Sequence, residues 1–449
     1  MDAVIEAAID RYRHLFGWSA SEREAFAHHL NTPAPPAIRL QRKTLREQLP
    51  FHLQPVPWHT DAFWWREPFR PGATRHFAAG DYYIQDAGST LAISLLDIAD
   101  NEIVADLCAA PGGKATAILD RLGPDGFLLV NEPIRKRVGA LQLNLARQGS
   151  PRFVLTGTDI SKLATLAGAF DALLLDVPCS GQSLWARQRQ TTTAFHPSTI
   201  HLCAARQARI LREAARLVRP GGRLVYSTCT FAPEENEDCI IAFLTNGHWE
   251  IEPQRHLEPW QSPLLPGSYR LWPHRDRCAG AFAVRLRRKA VPSTGRHHSP
   301  ATPAGCAGGG NVLEPLGLAS CGLLVSSDVW ESRDAVFATC SNRPPILEKT
   351  SWRGPEIAHR RGRSWFPSHA LALRDDPRWT PYQTLELDDA QSARYLRGEE
   401  LGAVPDGWSV ACWHGKSLGW IKGSRNRGKN RLPKTARLAH VIDTEPSKT

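Results

Sequence analysis

What limits the fold of this chain most sharply is an alternation, over residues 91–290, of short apolar runs with helical stretches. The runs 103–108 (IVADLC), 127–132 (FLLVNE), 152–159 (RFVLTGTD), 171–181 (DALLLDVPCSG), 223–230 (RLVYSTCT) and 280–289 (GAFAVRLRRK) read as strands or strands entering loops. Between them, 135–148 (RKRVGALQLNLARQ) and about 198–218 read as helices, the second stopped by Pro220-Gly221-Gly222. Pro233, with Glu234, Glu235 and Glu237 behind it, predicts a further helix whose early acids suit the helix dipole. Alternation of this kind builds βαβ units and a mostly parallel sheet. The expected fold is therefore a doubly wound, Rossmann-like α/β sheet that takes its ligands at the carboxyl ends of the strands.

Around this block, residues 1–90 combine a helical start, a Pro-rich turn from Thr32 to Pro36 and the aromatic run Phe63-Trp64-Trp65. Residues 291–320 open with a stretch rich in Pro, Gly, Ser and Thr, a composition that builds no core and reads as a linker. A small intermediate domain is expected over 321–375 and a last domain over 376–449, ending in a basic stretch. The net charge of +10 favours a polyanionic partner, nucleic acid before membrane surface. No long apolar run is free of charge, and the start MDAVIEAAIDRYRHLFGW lacks the apolar core of a signal peptide. A cytoplasmic enzyme is expected, and nothing in the sequence demands more than a monomer. The ten cysteines are scattered, with no CxxC pair and no zinc-finger spacing, so reduced thiols and no metal site are expected.

The loop Ala109-Ala110-Pro111-Gly112-Gly113-Lys114 lies between the first strand of the block and a helix N-terminus. Its glycines let backbone approach a ligand closely, and the position suits a nucleotide-like cofactor. It is neither a phosphate loop nor a GxGxxG turn. By itself it could be a plain strand-to-helix turn. Glu132, Asp159 and Asp176 end the next three strands, where carboxylates could accept from ribose hydroxyls or reach an adenine edge. Single acids at such places are often caps or surface residues. Three beside one glycine loop outline an adenosine-shaped pocket without a phosphate grip, which suits S-adenosyl-L-methionine.

Two cysteines bear on the reaction. Cys179 follows one strand in DVPCSG (176–181), and Cys229 ends another in STCT (227–230), so both face the same rim of the sheet. A lone cysteine is usually a small buried hydrophobe, and Cys203, Cys239 and Cys278 are read that way. Cys108 adjoins the glycine loop through its backbone.

Residues 103–288 resemble the RNA (cytosine-5) methyltransferase family that includes the Nop and Sun proteins. The resemblance rests on CAAPGGK (108–114), NEPIRKR (131–137), DVPCSG (176–181), YSTCT (226–230) with PEENE (233–237), and PHRDRCAGAFAVRLRR (273–288). It implies a class I methyltransferase sheet using S-adenosyl-L-methionine, held by Cys108, Ala109, Ala110, Pro111, Gly112, Gly113, Lys114, Glu132, Arg137, Asp159 and Asp176. It implies that Cys229 adds to carbon 6 of cytosine, that Cys179 helps release the product, and that Asp176 binds the cytosine edge with Lys114 in support. DNA cytosine-5 methyltransferases instead attack with the cysteine of the earlier Pro-Cys motif, so the pair points to RNA.

The segments 82–89 (YYIQDAGS) and 35–40 (PPAIRL) resemble the family's stretch before the catalytic block and an RNA-contacting segment, with Gln41 where Asn is usual. Residues 407–434 resemble the PUA-like end of the bacterial 16S ribosomal RNA methyltransferase F branch. That implies an N-terminal RNA-binding domain, a C-terminal PUA-like domain and ribosomal RNA, expected as 16S, as partner. In the tail, Lys416, Lys422, Arg425, Arg427, Lys429 and Arg431 can pair phosphates, whereas Trp408, Trp413 and Trp420 are expected mostly in the core. Ala115 and Gln182-Ser183 depart from the family pattern, which bears on the shape of the target pocket. Competing readings are a transfer RNA cytosine-5 methyltransferase and a non-catalytic RNA-binding assembly factor.

Overall fold

The computed structural model describes residues 2–187, 191–290, 329–332, 334–340, 353–377 and 379–442. The expected linker, 291–320, lies outside the described residues. Two capped helices begin the chain. Asp2 accepts from the Val4 amide to start Ala3–Phe16, and Ser19 with Glu22 forms a capping box for Ala20–Leu30. They pack Ile5, Ile9, Tyr12 and Phe26 against Phe231 and Trp272, directly behind the Cys229 loop. Next comes an antiparallel sheet of β1 (Ala37–Leu40), β2 (Leu53–Pro55), β3 (Ala62–Trp65) and β4 (Tyr82–Gln85), in the order β2-β3-β1-β4. The aromatic run 63–65 lies in β3, all of it buried.

The large sheet has parallel strands β5 (Ile103–Asp106), β6 (Phe127–Asn131), β7 (Phe153–Thr156), β8 (Phe170–Asp176) and β9 (Val218–Thr228). Its antiparallel end is built from β10 (Trp249–Ile251), β11 (Ser268–Leu271) and β12 (Ala281–Arg288). The order is β10-β12-β9-β8-β5-β6-β7, with β11 also on β12. The chain moves outward from β5 to β7 and then returns to the other side of β5 as β8. The reversal leaves a crevice at the carboxyl ends of β5 and β8.

Apolar side chains alternate between the two faces. Val104, Leu128, Val130 and Leu174 join the helices Leu91–Leu96 and Gly113–Arg121 in one core. Ala105, Phe127, Leu129, Leu173 and Leu175 join the helices Pro197–Ala215 and Glu237–Leu244 in the other. Burial on both faces explains why these strands read as continuous apolar runs. Each large apolar side chain fully buried contributes about 1.5–3 kcal/mol, so the strand ends rest on the most stable part of the fold.

Three boundaries differ from expectation. The long helix ends at Ala215, and β9 starts at Val218 and runs through Pro220-Gly221-Gly222. The register against β8 slips between Phe170 and Ala172, so the Pro-Gly-Gly bulges within the strand instead of preceding it. Pro233–Glu235 forms a single 3-10 turn, and the helix proper begins at Glu237.

Two further sheets follow. One contains β13 (Val329–Ser332), β14 (Ala335–Ala338), β15 (Glu356–Arg361) and β16 (Ser364–Pro367) in sequential order. The other contains β17 (Thr384–Glu386), β18 (Leu401–Gly402), β19 (Gly407–Trp413), β20 (Lys416–Ser424) and β21 (Arg427–Asn430), in the order β17-β19-β20-β21-β18. The last sheet docks on the N-terminal region. Lys416 Nζ lies 2.6 Å from the buried Asp81 carboxylate, and Arg75 Nε donates to Ser392 Oγ at 2.9 Å. Among the described residues, no helix is long and apolar enough to cross a membrane.

Candidate active site

The site is assembled from loops that leave β5, β8 and β9 at the crevice. After Asp106 the chain turns through the glycine loop into the helix Gly113–Arg121. Gly112 has φ of +114°, and a Cβ there would lie 3.2 Å from Leu141 and 3.3 Å from Asn144. A Cβ on Gly113 would lie 3.0 Å from the Tyr83 ring. The loop is thus held tightly between the helix Arg135–Gln148 and β4, and the positive φ at Gly112 favours glycine there. Asn144 Nδ2 donates to the Pro111 carbonyl at 2.8 Å, and the Arg137 guanidinium donates to that of Ala110. Glu132 accepts from the amides of Ala110 at 3.2 Å and Ile134 at 2.8 Å, and pairs with Arg137 at 3.2 Å.

A cavity of about 480 Å³ opens over this loop. Asp106, Lys114, Asp176, Cys229, Tyr83 and Arg187 are among the residues on its walls. The volume is within the range of small-molecule sites. Lys114 Nζ donates to Asp176 Oδ2 at 2.7 Å, while Ser227 Oγ donates to Asp176 Oδ1 at 2.7 Å. Burial opposes the charge on Lys114, but the attraction and hydrogen bond of Asp176 outweigh it and raise its pKa.

The two cysteine sulfurs lie 3.2 Å apart. Their loops are laced together. Ser180 N donates to Glu235 at 2.9 Å, Ser180 and Thr230 share a hydroxyl contact of 2.8 Å, and Ser183 N donates to the Cys229 carbonyl at 3.1 Å. The pair is polarised. Cys229 is pushed below the ordinary thiol value, first by the hydrogen bond from Cys179, against burial and with help from Lys114. Cys179 is pushed well above it by the same hydrogen bond and by burial. Of the two, Cys229 is the one whose thiolate the surroundings favour.

Gln182 occupies a fully buried position beneath this pair. Its Oε1 accepts from the Tyr12 hydroxyl at 2.8 Å and the Phe231 amide at 3.0 Å, and its Nε2 donates to the Ala194 carbonyl at 3.1 Å. This departure from the family pattern has every polar atom matched. Ala115, the other departure, is buried in the core.

The structure brings Lys114, Asp176, Cys229 and Cys179 together, with Cys108, Ala109, Ala110, Pro111, Gly113 and Arg137 on the cavity wall. Glu132 stands behind the loop as a hydrogen-bond acceptor, and Gly112 faces the helix. Asp159 is set apart. It caps the turn Ile160–Leu166, accepting from Ser161 N at 3.0 Å and Ser161 Oγ at 2.6 Å, and those bonds lower its pKa. Cys203, Cys239 and Cys278 are buried thiols. Arg39, in the segment 35–40, is buried and pairs with Asp120 at 3.3 Å while bonding Thr116, so it faces the glycine-loop helix.

Sequence reasoning missed Asp106. It is buried on the cavity wall, and its two oxygens lack a well-formed hydrogen bond among the described residues, although the Cys108 amide is near. Burial, then the charge of Asp176, push its pKa up to about 7, with Lys114 opposing. The signal was present: it ends a strand next to the loop, as Glu132 and Asp176 do. Gln85, whose buried Nε2 has no partner among the described residues, and Asp86, which accepts from Gly88 and Ala279 amides, close the far wall.

The chain matches three family descriptions: the N-terminal domain of 16S rRNA methyltransferase RsmF over 6–87, 16S rRNA methyltransferase RsmB/F over 93–287, and the methyltransferase RsmF PUA domain over 382–438. It is 31% identical, over 415 residues, to the ribosomal RNA small subunit methyltransferase F of Salmonella paratyphi A, covering 85% of this chain and 84% of that one. The protein of the same description from Klebsiella pneumoniae (strain 342) is 29% identical over 409 residues, covering 86% and 84%. A solved structure of a methyltransferase homolog protein from Pyrococcus horikoshii superposes with a TM-score of 0.53 at 28% identity, covering 63% of this chain and 99% of that one.

Proposed function

The chain belongs to the ribosomal RNA small subunit methyltransferase F family, and from that premise we propose that it methylates carbon 5 of a cytosine in 16S ribosomal RNA. The observation that carries this reading is the polarised thiol pair, with sulfurs 3.2 Å apart, beside the Lys114–Asp176 bridge. Cytosine carbon 5 is a poor nucleophile until a group adds at carbon 6. The Cys229 thiolate forms that sulfur–carbon 6 bond, and the electron pair of the 5,6 double bond moves into the ring. Asp176 accepts from the exocyclic amine of the base, and Lys114 holds its carboxylate in place through their 2.7 Å bridge. Once carbon 5 is substituted, its proton passes to solvent water in the open cavity and the carbon–hydrogen electron pair re-forms the 5,6 double bond. The sulfur–carbon 6 bond then breaks, its pair returning to Cys229, with Cys179 assisting this release.

S-adenosylmethionine, when bound, supplies an electrophilic methyl group on a positively charged sulfur. The cavity fits such a ligand: Asp106 on its wall turns to a cationic group two oxygens without a well-formed hydrogen bond among the described residues, Asp176 adds a second acid, and no phosphate loop is present. The glycine loop of residues 109–113 leaves room for its adenosine portion. Residues 1–90 and 376–449 are read as the parts that grip RNA, and 91–290 as the catalytic domain. The target base must leave any stack to enter the pocket, which is least costly in loops.

The test is to incubate the protein with S-adenosylmethionine and small-subunit ribosomal RNA, digest to nucleosides and separate them by mass spectrometry. 5-Methylcytidine is expected. A methyl group on any other base would remove the cytosine reading.

A further inference from the structure

We propose that Cys179 and Cys229 form a reversible oxidation site, at which a peroxide joins the two sulfurs as a disulfide and a dithiol separates them again. The bond itself needs no RNA. Its consequence, an enzyme switched off while oxidised, rests on the cytosine reading.

The geometry of the rim brings the sulfurs together. In the β8–β9 register Asp176 stands opposite Ser227, and the Val177 amide donates to the Ser227 carbonyl at 3.0 Å. Cys179 and Cys229 lie three and two residues beyond that last pair, on loops that leave neighbouring strands side by side. Such strands are spaced about 4.7–4.9 Å apart, inside the Cα separation of about 4.4–6.8 Å that a disulfide spans. The sulfurs, 3.2 Å apart, need to approach only to about 2.05 Å. The contacts of Ser180 with Thr230 and of Ser183 with the Cys229 carbonyl keep the loops in this arrangement while the bond forms.

Access separates the pair from the other thiols. Cys108, Cys203, Cys239, Cys278, Cys340 and Cys412 are buried, whereas Cys179 and Cys229 are only half-buried. Cys229 also lines the cavity, which is far larger than a peroxide molecule. Its surroundings favour the thiolate, the form a peroxide oxidises. The Cys229 sulfur attacks one peroxide oxygen. The oxygen–oxygen bond breaks, and hydroxide leaves with the electron pair and takes up the thiol's proton as water. The sulfenic acid that remains meets Cys179 at contact distance. A sulfur–sulfur bond forms, the sulfur–oxygen bond breaks, and a second hydroxide leaves with the Cys179 proton as water. Two thiols lose two electrons, and one hydrogen peroxide becomes two waters. An isolated sulfenic acid would go on to the sulfinic acid, which dithiols do not reverse, so the neighbouring sulfur keeps the change reversible. While the bond stands, Cys229 has no thiolate to add to carbon 6.

The test treats the full chain with hydrogen peroxide, removes the excess with catalase, alkylates the remaining thiols with iodoacetamide and digests with trypsin without reductant. Arg187 and Arg223 lie between the two cysteines, so the bond joins two separate peptides that mass spectrometry identifies. The linked pair should appear, and dithiothreitol should return both thiols. Cys229 recovered as sulfinic acid beside an alkylated Cys179, or a link confined to any other pair, overturns the site. With Cys179→Ala, the same peroxide should leave Cys229 carrying two oxygens and beyond recovery by dithiothreitol. Equal recovery of Cys229 in variant and parent overturns Cys179 as the trapping thiol. If the variant fails to fold, the parent's peptides still decide the matter. Formation of 5-methylcytidine should stop in the linked protein and resume on reduction, and turnover that persists when every molecule is linked overturns the switch. A reduced parent that makes no 5-methylcytidine counts against the cytosine reading alone, because the link is read without RNA.

Discussion

Replacing Gln182 with alanine should loosen the protein at the point where its N-terminal helices meet the two cysteine loops. The side chain is fully buried and makes three hydrogen bonds, to the Tyr12 hydroxyl, the Phe231 amide and the Ala194 carbonyl. Truncation strips all three partners at once. A buried polar group left without a partner costs about 1–3 kcal/mol, and water entering the vacated space recovers some of it, so a net loss of about 3–5 kcal/mol is expected. The loss should be local before it is global. Urea unfolding gives the overall shift, and hydrogen exchange locates it in residues 2–16 and 229–232. Gln182→Glu refines the test. A protonated glutamate keeps both acceptor contacts and can donate to Ala194, whereas the ionised form sets a lone pair against that carbonyl. Its burial raises the acid's pKa, so stability is present at low pH and lost as pH rises through that raised value. A Gln182→Ala protein within about 0.5 kcal/mol of the parent, the range of ordinary surface changes, would refute the reasoning.

Asp106→Asn should flatten the pH dependence of stability. Burial and Asp176 raise the Asp106 pKa from 3.8 to about 7, so the folded protein without ligand loses stability as pH climbs between those values. Urea midpoints at pH 5 and pH 8 should differ less in the variant, and S-adenosylmethionine should bind more tightly above pH 7 only in the parent. Arg270→Met should cost about 3–5 kcal/mol, because it strands the buried Glu237 carboxylate that Arg270 grips through two nitrogens, while Arg270→Met with Glu237→Leu should recover most of the loss in urea unfolding. Lys114→Gln should lower turnover about 10²–10³-fold and shift the pH profile of Cys229 alkylation upward, since Lys114 helps hold the thiol down. An alkylation profile that stays in place would assign Lys114 no influence on the nucleophile.

The strand pattern of the catalytic block was legible because parallel strands buried on both faces leave uninterrupted apolar runs, as in 127–130 and 172–175. The rim carrying Cys179 and Cys229 followed from their places just past β8 and β9. Their ranking did not follow from the pattern. It came from resemblance, and the sulfur–sulfur contact of 3.2 Å is common to both cysteines. Asp159 shows the limit of arguing from strand ends: a carboxylate followed two residues later by Ser161 satisfies itself locally as a turn cap. Asp106 was legible in place, as the end of a strand beside the loop, and Gln182 as a departure from the family pattern, but what each does depends on partners far along the chain, Asp176 for the first and Tyr12 for the second. Lys416 looked like a phosphate contact in its basic stretch, yet it reaches Asp81 across the domain boundary. Charge runs do not report which of their members are already paired.

The roles of the two thiols can be tested directly by trapping. With Cys179→Ala, release is impaired while Cys229 still adds to the base, so a covalent protein–RNA species should accumulate on a denaturing gel with ribosomal RNA and S-adenosylmethionine. Cys179→Ala combined with Cys229→Ala should show none. An adduct that persists without Cys229 would contradict the assignment of the nucleophile.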